Sequence, residues 1–133
     1  METITANVIV ANKIKNNVEQ HEIEAAWIIA RHFNRPVEFL EPINDYMRKT
    51  PDVIIDGQLR EIKSPIGKSR QNVERQLKRA IKQSQNIIFD GRRSSINDSI
   101  LVSRLRNEAK KYRSLKKLIF VTKDEKILEM VWK

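Results

Sequence analysis

The sequence contains no cysteine. Neither disulfides nor thiolate metal ligands are available, so any bound metal has to be held by carboxylates, carbonyls or the two histidines, His21 and His32. Oxygen donors of that kind suit hard ions, Mg²⁺ first among them. Also missing is any run approaching about 18 apolar residues, the length a membrane-crossing helix needs. The opening "METITANVIVANKIKNN" lacks a basic leader followed by a cleavable apolar stretch. A soluble chain without a membrane segment or a secretion signal of its own is expected. Repeats, low-complexity tracts and linker-like segments are absent too, and 133 residues suit one domain over 1–133 with one site.

What the sequence has in excess is positive charge. The net charge is +9 and the isoelectric point about 10.0, which speaks of partners more than of fold and makes a polyanion the first candidate. The excess is uneven. Between Arg60 and Gln85 stand Arg60, Lys63, Lys68, Arg70, Arg75, Lys78, Arg79 and Lys82 against Glu61 and Glu74 alone. Such a stretch is either a solvated surface or an anion-binding one, and charge alone does not choose.

Periodicity gives the frame. Residues 1–17 hold at most a short edge strand in "ITANVIV". "VEQHEIEAAWIIARHF", Val18 to Phe33, reads as a helix with Ile23, Ala26, Trp27, Ala30 and Phe33 on its apolar face. Asn34 can take a left-handed conformation there and Pro36 forbids continuation. "VEFL" is a short strand, followed by a polar connection carrying Tyr46, a residue suited either to packing or to stacking on a base. "DVII", the turn "DG" and "QLREIK" form a hairpin signal. "RQNVERQLKRAIKQSQ" is a helix with Val73, Leu77, Ala80 and Ile81 as a narrow apolar stripe and Arg75, Lys78, Arg79 and Lys82 on its wetter faces. "NIIFD" is a buried strand, "SSINDSILVSRLRNEAKKY" a helix capped by Ser94 or Ser95, and "KKLIFVTKDEKILEMVW" two strands around "KDEK". The expected fold is α/β: a mixed central sheet with flanking helices in α-β-β-β-α-β order, plus a C-terminal helix and hairpin.

Chemistry concentrates in "PDVIIDGQLREIKSP", Pro51 to Pro65. If Asp56 and Gly57 are the central residues of a two-residue turn, Asp52 faces Glu61 across the hairpin and Lys63 lies two residues on, on the same face. Facing side chains have Cβ atoms about 5 Å apart, where two carboxylates repel unless a cation lies between them. Such a pair can bridge a divalent ion, and an adjoining lysine can orient a water and offset charge developing on a phosphate. Ile54 and Leu59 share that face, which places the acids at the edge of a core. The competing reading is a structural ion pair on a solvated strand. Glu22 is the third acid considered, because it extends the stripe through Ala26, Ile29 and Phe33 and points inward at the first helical turn; an acid there also simply favours the helix dipole. His21 and His32 are three turns apart and cannot share an ion.

"PD" before a hairpin that ends in "EIK", after a helix glutamate and before a basic helix, resembles the PD-(D/E)xK nuclease signature and its restriction-endonuclease-like fold. More closely, "HEIEAAWIIARHFNRPVEFLEP", "PDVIIDGQLREIKSPIG", "NVERQLKRAIKQSQNIIFD" and "KKLIFVTKDEKILEM" resemble the tRNA-nuclease toxin domain at the C-terminus of contact-dependent growth inhibition proteins and phage-associated polymorphic toxins. That resemblance implies Asp52, Glu61 and Glu22 as metal ligands and Lys63 as the residue assisting the attacking water; the basic residues Lys68, Arg70, Arg75, Lys78, Arg79 and Lys82 are the expected contacts to nucleic acid, since Arg75, Lys78, Arg79 and Lys82 repeat at three and four and at least three can reach one strip of phosphates. The resemblance also implies Mg²⁺ as cofactor, RNA rather than DNA as substrate, delivery within a larger secreted chain, action in the cytoplasm, and an immunity protein as inhibitor. The alternatives are a metal-independent ribonuclease of the barnase, EndoU and RelE type, in which Lys63, Ser64, Arg75 and Gln83 would carry the chemistry, a DNA endonuclease, and a non-catalytic nucleic-acid-binding module.

Overall fold

The structure, a computed structural model, describes residues 6–11, 17–40 and 52–133, with Asp52 through its backbone alone. Tyr46 and the connection around it lie outside the described residues. The chain divides into two compact units, Met1–Arg60 and Glu61–Lys133. The division falls inside one strand, so that strand's first half belongs to one unit and its second half to the other.

In the first unit, strand β1 (Asn7–Ile9) runs parallel to β2 (Pro36–Phe39), which pairs antiparallel with β3 (Asp52–Ile55). Between β1 and β2 lies helix α1 (Gln20–Phe33). Its start is fixed by a reciprocal capping box in which the Glu22 carboxylate accepts from the Glu19 N–H at 2.7 Å. Its end is fixed by Asn34, at φ 54° and ψ 48°. The buried face is Ala25, Ala26, Ile29 and Ala30, whereas Ile23, Trp27 and Phe33 are only half-buried. The expected stripe is therefore rotated by about a residue. Three alanines let the helix approach the strands closely, and the larger rings are left at the margins, where Arg31 lies over Trp27 and Arg60 over Phe33.

The hairpin turns at Asp56 and Gly57, with φ 51° and 76°. Positive φ at both central residues is the two-residue type I′ turn, whose twist matches the strands it joins. Strand β4 (Gln58–Lys63) follows. Val53 and Ile55 are buried while Ile54 and Leu59 are half-buried, so the Ile54 and Leu59 face is not the one turned to the core in this unit. α1 is the reason, since Phe33 at its end reaches Arg60, which shares the Val53 side.

In the second unit the strands follow in the order β4, β5 (Asn86–Asp90), β6 (Lys117–Val121) and β7 (Ile127–Trp132). The first two pairings are parallel and the last is antiparallel. Parallel strands need crossovers, supplied by α2 (Gln71–Gln83) and α3 (Asp98–Ala109). Both helices bury their stripes against one sheet face. Val73, Leu77 and Ala80 of α2 and Leu101 and Leu105 of α3 meet Ile87, Phe89, Leu118 and Phe120 in one apolar cluster. Gly91 sits so close to this cluster that a Cβ would meet the Phe120 ring at 2.6 Å, so a side chain is excluded there.

The helix α3 starts later than expected. Its cap is Asn97, whose side-chain oxygen accepts from the Ile100 N–H at 3.0 Å, rather than Ser94 or Ser95. Ser94 is occupied differently: its hydroxyl accepts from the Ile96 N–H at 3.1 Å and so shapes the loop before the helix. The α/β class with a mixed sheet and flanking helices is what the chain forms.

Candidate active site

Three of the residues that chemistry would need converge within the second unit. Glu61 is fully buried and Lys63, two residues on in the same strand, is 6 % exposed. Alternation along β4 puts both on one face, and the Lys63 Nζ lies 3.4 Å from the Glu61 Oε1. Gln83, the last residue of α2, comes to the same carboxylate. With its amide nitrogen turned toward Glu61, the orientation that satisfies both groups, it donates to both carboxylate oxygens at 3.0 Å.

Burying a carboxylate costs several kcal/mol unless charge and hydrogen bonds compensate, and Lys63 and Gln83 supply both. The result is a buried carboxylate with a lysine and an amide directly beside it. Such an arrangement can bind a cation, orient a water, or transfer a proton. Gln83 was expected only among the residues of a metal-independent ribonuclease. Its place at Glu61 depends on where α2 ends against β4, which periodicity does not reveal.

The other candidates are distributed as follows. Asp52 opens β3, and its side chain lies outside what is described. Glu22 serves the capping box of α1, the role its position near the helix start favours on dipole grounds. His21 lies 3.3 Å from Glu19, and His32 meets the Phe33 ring edge-on at 4.7 Å. Among the described residues no group of three His, Asp or Glu side chains is placed to hold a metal ion. Lys68, Arg70, Arg75, Lys78, Arg79 and Lys82 are all exposed. Arg75, Lys78, Arg79 and Lys82 line the outside of the helix that ends at Gln83.

A second buried acid was not among the sequence candidates. Asp90, at the end of β5 and fully buried, accepts from the Arg92 fork at 3.0 and 2.9 Å and from the Arg92 backbone N–H at 3.1 Å. Ser64 adds a longer hydroxyl contact at 3.4 Å. An acid followed two residues later by arginine at a strand's end was the available signal. Between α2 and α3 lies a cavity of about 330 Å³ lined by Glu74, Arg104, Asn107, Glu108 and Lys111. It is bridged by the Glu74 and Arg104 ion pair at 2.7 Å. Among the described residues no helix is long and apolar enough to cross a membrane.

Residues 49–127, from the start of the hairpin through β6 into β7, match the model of the contact-dependent growth inhibition CdiA C-terminal domain. The chain belongs to that family. It is a toxin-type domain of contact-dependent growth inhibition, and the matched span contains Asp52, Glu61, Lys63 and Gln83. Among solved structures it is similar to a chain of the CdiA-CT/CdiI toxin and immunity complex from Burkholderia pseudomallei. The TM-score is 0.65 at 15 % identity over 92 % of this chain and 97 % of that one. At that identity the likeness is one of fold. No curated protein matches the chain in sequence.

Proposed function

We propose that this domain is an endonuclease that hydrolyses phosphodiester bonds in RNA, tRNA first, with a divalent metal, Mg²⁺ before others. The observation that carries the reading is the buried Glu61 held by Lys63 and Gln83 at the end of a helix whose outer side bears Arg75, Lys78, Arg79 and Lys82. An anion-binding surface thus adjoins a carboxylate and an ammonium capable of hydrolytic chemistry. Membership of the toxin family supports the same reading.

Roles follow from the chemistry of each side chain. The Glu61 carboxylate is a hard oxygen donor of the kind a hard cation takes, and the flexible Lys63 and Gln83 side chains would have to yield part of their contacts to it. Asp52 would share it and Glu22 would complete the set, both on the strength of the sequence. The ion, when bound, supplies Lewis-acid polarisation of the phosphodiester. Lys63 Nζ orients the attacking water and meets the charge that develops on phosphate. Gln83 fixes the direction of Glu61. Lys68, Arg70 and the α2 cations hold the backbone of the substrate. The fold neighbour comes from a toxin and immunity complex, and we extend that to this chain: an immunity partner neutralises it, and a larger secreted protein delivers it to the cytoplasm in which it acts.

The grouping of Lys63 and Gln83 on one carboxylate also favours a second reading, a metal-independent ribonuclease using those residues with Ser64 and Arg75. One experiment separates them. Total tRNA and plasmid DNA are incubated with the protein in Mg²⁺ and in excess EDTA. Cleavage of tRNA in Mg²⁺ that stops in EDTA is the expected result. Undiminished cleavage in EDTA selects the second reading, and cleavage of plasmid alone moves the substrate to DNA.

A further inference from the structure

The first basic stretch accounts for α2, but a second lies elsewhere. Around the start of β6 the chain gathers Arg113, Lys116 and Lys117, and the last residue, Lys133, joins them: its N–H donates to the Lys116 carbonyl at 2.8 Å. The Lys116 and Lys117 N–H groups both donate to the Gln85 carbonyl, at 2.8 and 3.2 Å. Gln85 follows Gln83 by two residues, so this cluster is tied to the end of α2 that carries Lys82 and delivers Gln83 to Glu61.

In the middle of these cations is an aromatic ring. Trp132 is 48 % exposed and pairs in register with Lys117 across β6 and β7. The Lys117 Nζ lies 4.4 Å from the centre of the indole and also donates to the Lys133 carbonyl at 3.2 Å, which holds ring and ammonium together. A lone exposed apolar side chain needs no explanation. A tryptophan held against Lys117, with Lys116, Lys133, Arg113 and Lys82 exposed in the segments tied to it, is a different object. It combines the two elements that bind unpaired nucleotides: a planar surface for a base and cations for the phosphates on either side.

Its position relates it to the candidate site. Glu61 is in register with Ile87, and the adjoining row runs Asn86, Lys117, Trp132. Side chains of adjoining rows leave opposite faces of a sheet, so Trp132 and Glu61 project from opposite faces, and one RNA molecule can reach both only by passing round the ends of the strands between them.

We propose that Trp132, with Lys116, Lys117 and Lys133, is a stacking site for an unpaired base of the RNA substrate. This rests on the RNA-nuclease reading and adds to it an unpaired nucleotide held away from the cut, on the other face of the sheet. The test uses the full chain carrying Lys63→Ala to stop cleavage, a 5′-labelled single-stranded oligoadenylate, and a duplex of the same length. Trp132→Ala is expected to weaken binding of the single strand roughly 5- to 150-fold, the range for loss of one stacked base, and to leave duplex binding close to its starting value. Trp132→Phe, which keeps a ring, is expected to restore most of the affinity while abolishing the RNA-dependent quenching of tryptophan fluorescence that Trp27 alone does not give. Unchanged single-strand affinity in Trp132→Ala, with binding still weakened by Lys78→Glu, overturns the stacking site and leaves the RNA reading standing. Failure of either RNA to bind at all overturns both.

Discussion

Two acids in the second unit are equally inaccessible and differently held. Asp90 is gripped by the planar fork of Arg92 and by a backbone N–H, a geometry fixed within three consecutive residues. Glu61 is met by an ammonium and an amide, each at the end of a flexible side chain, and one of them comes from another element. Bidentate pairing of the first kind is rigid and saturating. Contacts of the second kind can rearrange when a cation, water or phosphate arrives. On the function proposed above, this difference separates a clamped acid, Asp90, from one available for chemistry, Glu61, although burial alone would rank them together.

The largest expected effect tests the structural half. Asp90→Ala takes away the buried carboxylate that the mostly buried Arg92 fork pairs with, and a loss of about 3–5 kcal/mol is expected in urea unfolding. Replacing both, Asp90→Leu with Arg92→Met, is expected to recover most of that loss, because breaking one half of a buried ion pair costs more than exchanging the whole pair for apolar side chains. A stable single variant would remove the contrast at once.

The reverse pattern is expected at Glu61. Glu61→Gln keeps the volume and an oxygen that can still accept from Lys63 and Gln83, so the loss of the charge opposite buried Lys63 should cost about 1–3 kcal/mol, less than Asp90→Ala. RNA cleavage should fall by at least about 100-fold. A variant that cleaves normally but unfolds as readily as Asp90→Ala would make Glu61 a second structural acid.

How much of this was legible in the sequence follows the range of the interactions. "DG" dictates a type I′ turn through the φ values those two residues tolerate, so β3 and β4 could be placed to the residue. Glu19, Glu22 and Asn34 act within one helical turn of the ends they fix, and those ends were read closely. The apolar runs of β5 and β6 declared themselves buried. Failures came where two signals competed or where partners are distant. Ser94, Ser95 and Asn97 are all acceptable caps, and the Ser94 turn with Ile96 decided among them. The buried stripe of α1 turned toward its alanines because small side chains pack closer than Trp27 can. Lys63 beside Glu61 follows from strand alternation, but Gln83 reaches Glu61 across 22 positions. Nothing local marks such a contact.

Gln83 sharpens the comparison at smaller scale. Gln83→Leu removes both hydrogen bonds to Glu61 and leaves its charge, and partners that aim a metal-ligating group are typically worth 10- to 100-fold in activity. That loss is expected in single-turnover cleavage, with little change in RNA affinity. Ser64→Ala, the counterpart at Asp90, should be nearly silent in stability because Arg92 still saturates the carboxylate. Equal effects from the two substitutions would erase the distinction between aimed and clamped acids.

A third acid falls between these extremes and carries the smallest effect. Burial works to raise the Glu108 carboxyl, but hydrogen bonds from Lys111 and Tyr112, with the charges of Lys111 and Lys78, outweigh it and hold the group below its ordinary value. A depressed folded value means that the stabilisation is complete above the unfolded pKa, about 4.3, and disappears as pH falls through the lower folded value. Glu108→Gln should therefore lower stability at neutral pH and flatten its decline below about pH 4.3. The same contact acts in the opposite sense on its partner: burial, then the Glu108 hydrogen bond, push the Tyr112 hydroxyl up from its usual range. In Glu108→Gln the tyrosinate absorbance of Tyr112 should consequently move toward lower pH. If the acid limb flattens and the tyrosine titration does not move, the hydroxyl bond at 2.8 Å is not what holds Glu108, and Lys111 carries it alone.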